Sequence, residues 1–153
     1  MPQLDEAYDA LLAGRLDDAR RGYERVLKFD SRNVDALLGM ATIASRQNAA
    51  EVAHSYYARA FEADPTNATA MAGLVEATSQ GDSASAESEL KSALAMQPDS
   101  AALLVALGNL FAREERWADA QEAYFRAHTV DSGNADIIIN LAVSLDHLHQ
   151  KQL

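Results

Sequence analysis

The sequence predicts an all-α fold, a right-handed α-solenoid in which antiparallel helix pairs stack one on the next. Three observations predict it. Alanines inside segments of similar pattern stand at Ala19, Ala53, Ala86 and Ala120, spaced 34, 33 and 34 residues apart. Apolar residues recur at helical spacing on both sides of each repeat's midpoint. Only 3 prolines and 7 glycines occur in 153 residues, which suits helices joined by short turns better than many strands. One helical hairpin cannot cover its own apolar face, so such units must stack.

The register places helix pairs at 2–31, 34–64, 68–97 and 101–131, followed by a single helix over 135–150. In the first pair, Ala19, Tyr23 and Val26 form the stripe of the second helix. Ser31 and Asn33 mark the turn that follows. In the second pair, Leu37, Met40, Ala41 and Ala44 line the first helix and Ala53, Tyr57 and Ala60 the second. Asp64-Pro65 stops that helix, because the residue before a proline is pushed out of the helical region. The third unit is one residue short around Gln80–Ser83 and carries Leu90 where its sisters have an aromatic, so it is expected to be the loosest. Gln97-Pro98 ends it.

In the fourth pair, Leu104, Leu107, Gly108 and Phe111 precede Ala120, Tyr124 and Ala127. Small residues at fixed points let paired helices approach, and the aromatics fill the gap to the next pair. Trp117, three residues before Ala120, is expected to pack between the two helices of its own hairpin. The last helix carries Ile137, Ile138, Ile139, Leu141, Val143, Leu145 and Leu148, apolar nearly all round. A terminal helix of a stacked array should be polar outside. The expectation is therefore a fragment of a longer protein, or a face covered by another molecule. Self-association through Ile137, Ile138, Leu141, Leu145 and Leu148 would make a homodimer.

These columns resemble the tetratricopeptide repeat, whose pattern sets Leu-Gly and an aromatic in the first helix and Ala, an aromatic and Pro in the second. The resemblance covers the whole chain as one domain of four repeats (1–33, 34–67, 68–100 and 101–134) plus a half repeat, 135–153. Gly108 is the only glycine of its column, where Ala7, Ala41 and Val75 stand in the others. The resemblance implies a protein–protein interaction scaffold whose first helices line a concave groove. It also implies that certain outward positions of those helices touch partners. One such row here is Leu4, Leu38, Ala72, Val105 and Ile139, an apolar stripe; the next is Tyr8, Thr42, Glu76, Asn109 and Val143. Arg46 and Arg113 fall on the rim, where they would steer a partner. An apolar row along a groove suits an amphipathic helix or extended apolar segment. Val105 replaces the lysine with which chaperone-binding members of the family hold a terminal carboxylate, so that mode is not expected.

A narrower resemblance rests on Ala123-Tyr124-Phe125-Arg126-Ala127 and on the run Asn140–Leu148. Both are similar to the C-terminal repeat domain of bacterial mannose-sensitive haemagglutinin (type IV) pilus biogenesis proteins. That likeness implies a soluble part of a membrane-anchored parent that helps assemble the pilus machinery. The compartment stays open: cytoplasmic, or periplasmic if the pilus likeness holds.

Composition closes other routes. With 23 acidic and 13 basic residues the net charge is −10, so phosphate-backbone binding starts at an electrostatic loss and no nucleic-acid partner is expected. The acid is uneven: residues 1–33 hold 7 acidic and 6 basic side chains, residues 68–100 hold 5 acidic and only Lys91. No signal peptide is expected from the acidic opening Met1–Ala10, and the longest apolar run, Ala101–Leu107, is far shorter than the roughly 20 residues a membrane helix needs, so no direct membrane insertion is expected. Zero cysteines exclude disulfides and thiol chemistry. His147 and His149 lie two apart on a helix and cannot chelate one ion, so no metal site is expected. Gly81-Asp82-Ser83-Ala84-Ser85 lacks the second glycine and the preceding strand of a nucleophile elbow and reads as a turn. With no phosphate loop and no paired carboxylates in a catalytic context, neither catalytic residues nor cofactors are expected, and the protein is read as no enzyme. A rival reading is a structural self-assembly module that stacks through its last helix.

Overall fold

The computed structural model describes residues 1–78 and 82–152. Among them the ordered elements are all helices: α1 (Pro2–Leu12), α2 (Leu16–Phe29), α3 (Val34–Arg46), α4 (Ala50–Ala63), α5 (Ala68–Thr78), α6 (Ser83–Met96), α7 (Ala101–Arg113), α8 (Trp117–Val130) and α9 (Ala135–Gln152). Their ends lie within two residues of the spans read from the sequence. The chain divides into two compact units, Met1–Thr78 with α1–α5 and Ser79–Leu153 with α6–α9. The expectation of looseness at Gln80–Ser83 falls partly on residues 79–81, outside the described ones.

Each first helix after α1 starts where a side chain satisfies its free N–H groups, whereas α1 begins at Met1 with no side-chain cap. Asn33 accepts from the Ala36 amide at 3.0 Å and Asn67 from the Ala70 amide at 2.9 Å. Ser100 accepts from the Leu103 amide at 3.3 Å, and Asn134 from the Asp136 amide at 3.0 Å. These are the four residues of one sequence column. Asp82 does the same for α6 through the Ser85 amide at 3.1 Å.

Three first helices end alike. Gly14, Asn48 and Glu115 hold φ of 75°, 57° and 59°, the left-handed region. That geometry lets the following amide reach back to close the last turn: Arg15 to the Ala10 carbonyl, Ala49 to Ala44 and Arg116 to Phe111, each at 2.9 Å. Glycine has no Cβ to crowd the carbonyl and asparagine offsets that crowding with a short polar side chain, whereas glutamate has the Cβ without that offset. Glu115→Gly is therefore expected to stabilise the protein by about 0.5–1 kcal/mol, read as a higher urea midpoint at unchanged slope. An unmoved or lowered midpoint would show that Glu115 carries a compensating contact.

In unit 1, α1 packs on α2 and α3, α3 on α4, and α4 on α5. The core gathers Ala7, Ala10, Ala19, Tyr23, Val26, Ala36, Met40 and Ile43. Tyr23 lies against Gly39 and Tyr57 against Gly73, each ring occupying the space a Cβ would need. The aromatic of one pair thus fits a glycine in the first helix of the next.

In unit 2, α6 packs on α7, α7 on α8 and α8 on α9. Here Gly108 faces Tyr124 of its own hairpin. Leu90, at the aromatic column, is buried. Arg116 sits over the Phe111 ring at 4.3 Å and donates to Glu87 of α6 and Asp119 of α8, both at 2.9 Å, and to Glu114 at 3.2 Å. The Glu114 hydrogen bond, foremost among these acids, holds the guanidinium still more firmly in its charged form.

Trp117 does not pack solely within its hairpin as expected. It stacks on His147 of α9, centroids 3.8 Å apart and planes 5° from parallel. A planar side chain reached the docking helix because the first turn of α8 faces α9. The same helix is two-sided: Ile137 and Ser144 are buried, while Ile138, Ile139, Val143 and Leu145 are 46%, 59%, 45% and 48% exposed. Ile137 is thus a core residue, not part of the outer face that the self-association reading requires. Leu141 and Leu148 are half-buried.

Candidate partner-binding cleft

A cleft of about 350 Å³ opens between α1 and α3 in unit 1. Leu4, Tyr8 and Leu11 recur at spacings of four and three on α1; Asp35, Leu38, Gly39 and Thr42 do so on α3. Those spacings bring each set onto one helix face. Tyr23 of α2 supplies the back wall, visible because Gly39 has no side chain to hide it. Leu4 and Leu38 are half-buried and Tyr8 is 54% exposed. The Thr42 hydroxyl donates to the Leu38 carbonyl at 3.0 Å, leaving its oxygen to accept. Burial raises the Tyr23 phenol pKa, with Tyr8 and Asp35 adding to it. That phenol stays a neutral donor.

A second depression of about 420 Å³, on α1 and α2, has charged walls in which Arg15 and Arg21 pair with Asp18. Such self-paired surface charge offers little to a partner.

Of the residues expected to touch partners, Leu4, Tyr8, Leu38 and Thr42 come together in the α1–α3 cleft. Arg46 does not stand free on the rim: its Nη1–H donates to the Leu11 carbonyl at 3.0 Å, tying the end of α3 to the end of α1. Ala72 on α5 is buried, since an alanine side chain ends at Cβ and cannot reach past its neighbours. Glu76 on α5 is half-buried near Tyr57. Burial foremost, and Glu76 further, raise that phenol's pKa, opposed by a hydrogen bond with Ser45.

Unit 2 holds the remainder. Val105 on α7 is half-buried and Arg113 exposed. Asn109 accepts the Tyr124 hydroxyl proton at 2.7 Å, so its amide oxygen braces its own hairpin. Ile139 and Val143 on α9 are exposed. Asp5, Leu11, Tyr23, Asp35 and Gly39 were not anticipated as lining. A usable signal existed: Tyr23 precedes Gly39 by 16 residues, as Tyr57 precedes Gly73.

No group of described residues is arranged to hold a metal ion, and no described helix is long and apolar enough to cross a membrane.

The sequence profile of the tetratricopeptide repeat matches residues 4–68 and 75–136. The chain belongs to the tetratricopeptide repeat family. Over 73 residues, 45% of this chain, it is 37% identical to cellulose synthase operon protein C of Komagataeibacter xylinus, and the match spans only 6% of that protein. Pseudomonas aeruginosa PilF is similar in structure with a TM-score of 0.72 at 18% identity, over 99% of this chain and 68% of that one. YrrB, a tetratricopeptide repeat protein with an unusual peptide-binding site, is similar at a TM-score of 0.60 and 19% identity, over 97% and 77%. At these identities the structural likeness is one of fold, and the fold is the all-α tetratricopeptide-repeat solenoid.

Proposed function

We propose that this protein is a non-catalytic scaffold that captures a segment of a partner protein in the α1–α3 cleft. The fold itself supports a protein–protein interaction scaffold. The observation that carries the finer reading is the cleft's lining: Leu4 and Leu38 half-exposed on facing helices, Tyr8 projecting beside them and Tyr23 as a rigid back wall. Apolar walls with a few placed hydrogen-bonding groups fit a bulky side chain of a helix or extended segment. Selection of displayed peptides on the immobilised protein tests this. Peptides retained by the native chain and released by both Leu38→Glu and Tyr8→Ala support it; peptides retained equally by all three would overturn it.

A second reading has its own observation, the exposed row Ile138, Ile139, Val143 and Leu145 on α9. Such a row is a surface for a second copy of the chain. Mass measured by light scattering across a concentration series is expected to rise toward the dimer and to stay monomeric in Ile138→Lys/Leu145→Lys. A strict monomer at every concentration would remove this reading and leave the cleft. The biological setting proposed with either is assembly of a bacterial surface apparatus such as a pilus, supported by the likeness of Ala123–Ala127 and Asn140–Leu148 to pilus biogenesis proteins. Recovery of pilus-assembly components by affinity capture checks that setting, and their absence would dismiss it.

A further inference from the structure

We infer that the α1–α3 cleft selects a segment that sets a bulky apolar side chain beside a lysine or arginine, with the cation at the end where α1 and α3 begin. This rests on the partner-capture reading of the same cleft and adds to it the chemistry of the partner. Asp5 lies in the first turn of α1 and Asp35 in the first turn of α3, and both line the cleft. At the opposite end Arg46, the last residue of α3, bonds the Leu11 carbonyl near the end of α1. The two helices therefore run side by side in the same direction, with both carboxylates at one mouth. None of the nine lining residues is basic, and neither Asp5 nor Asp35 joins an ion pair among the described residues.

The sign of the field survives the obvious offset. Each helix N-terminus contributes roughly half a positive charge, so two carboxylates and two helix ends leave about one negative charge at the mouth. The field reaches the inner wall, where Asp35, after burial and Tyr8, helps hold the Tyr23 phenol in its neutral form. Beyond the mouth the lining turns apolar through Leu4, Leu11 and Leu38. An acidic lip over an apolar floor rejects an acidic segment by like charge and favours a basic one. Arg46, the one of the two expected rim arginines that lies in unit 1, is committed to the Leu11 carbonyl and does not reverse the sign.

Fluorescence anisotropy on the whole chain tests this with three labelled peptides. One has a leucine flanked by arginines, one has glutamates in place of the arginines, and one keeps the arginines but has alanine for leucine. The arginine–leucine peptide is expected to bind at least about tenfold tighter than the other two, with the advantage over the glutamate peptide shrinking as salt is added. In Asp5→Asn/Asp35→Asn, which keeps side-chain shape and whose fold is checked by circular dichroism, that charge preference is expected to fall to about two- or threefold. Equal binding of the arginine and glutamate peptides, or a preference unchanged in the double variant, overturns the inference. Leu38→Glu separates the two failures. Binding lost in Leu38→Glu with no charge preference leaves the cleft as the site and removes only its selectivity. Binding insensitive to Leu38→Glu, or none by any peptide, removes both.

Discussion

Gly39→Val is expected to destabilise unit 1 by about 2–4 kcal/mol, one of the larger losses any single substitution in this chain can produce. The new side chain would enter the volume occupied by the Tyr23 ring. That ring is only 2% exposed and packed among α1, α2 and α3, so it can yield only by shifting toward the cleft and giving up its core contacts. A valine in mid-helix also loses rotamer freedom, although glycine itself is the poorer helix former by up to about 1 kcal/mol, so the clash must and does dominate. Gly133→Ala provides the contrast, because nothing lies within 4 Å of a Cβ there. It is expected to change stability by less than about 0.5 kcal/mol. Urea melts of both variants check the pair. Combining Gly39→Val with Tyr23→Ala is expected to cost less than the two changes summed, since removing the ring makes room for the valine. Additive losses would show that the ring and the glycine do not share the space.

The second large effect is on binding. Leu38→Glu is expected to weaken capture of a cleft-selected peptide by about thirtyfold or more, equivalent to about 2 kcal/mol, the usual threshold of an interface hot spot. The carboxylate would face an apolar ligand group without a partner and would add a third acid beside Asp5 and Asp35. Leu38 also packs partly against Leu37, Ala60 and Ala70, so some loss of stability accompanies the change. Tyr8→Ala controls for it. Tyr8 is 54% exposed, and its removal is expected to leave the melt within about 1 kcal/mol while weakening capture about tenfold. Native affinity in both variants would exclude the cleft.

Much of the fold was legible because its signals are local. Asn33, Asn67, Ser100 and Asn134 cap helices through their own backbone neighbours, and the alanine columns are where helices touch. The candidate site was only half legible. Leu4, Tyr8, Leu38 and Thr42 follow from the resemblance to the tetratricopeptide repeat, whose outward first-helix positions they occupy. Arg46 and Trp117 have long or broad side chains whose partners, the Leu11 carbonyl and the His147 ring, lie 35 and 30 residues away. Periodicity tells which face such a residue occupies and nothing about what it reaches. Ala72 kept the right register with the wrong size. Tyr23 and Gly39 line the cleft because one residue lacks a side chain, and a missing group leaves no mark in an apolar pattern. The two faces of α9 were masked by composition, since the inward Ile137 and the outward Ile138 and Ile139 are the same residue type.

The central claim is that partners are held between α1 and α3. It is tested most directly by recording amide chemical shifts of the isotopically labelled chain while a selected peptide is added. The largest shifts are expected at Leu4, Tyr8, Leu38, Gly39 and Thr42, with α9 unmoved. Shifts concentrated at Ile138, Ile139, Val143 and Leu145, with the α1–α3 amides unchanged, would contradict it.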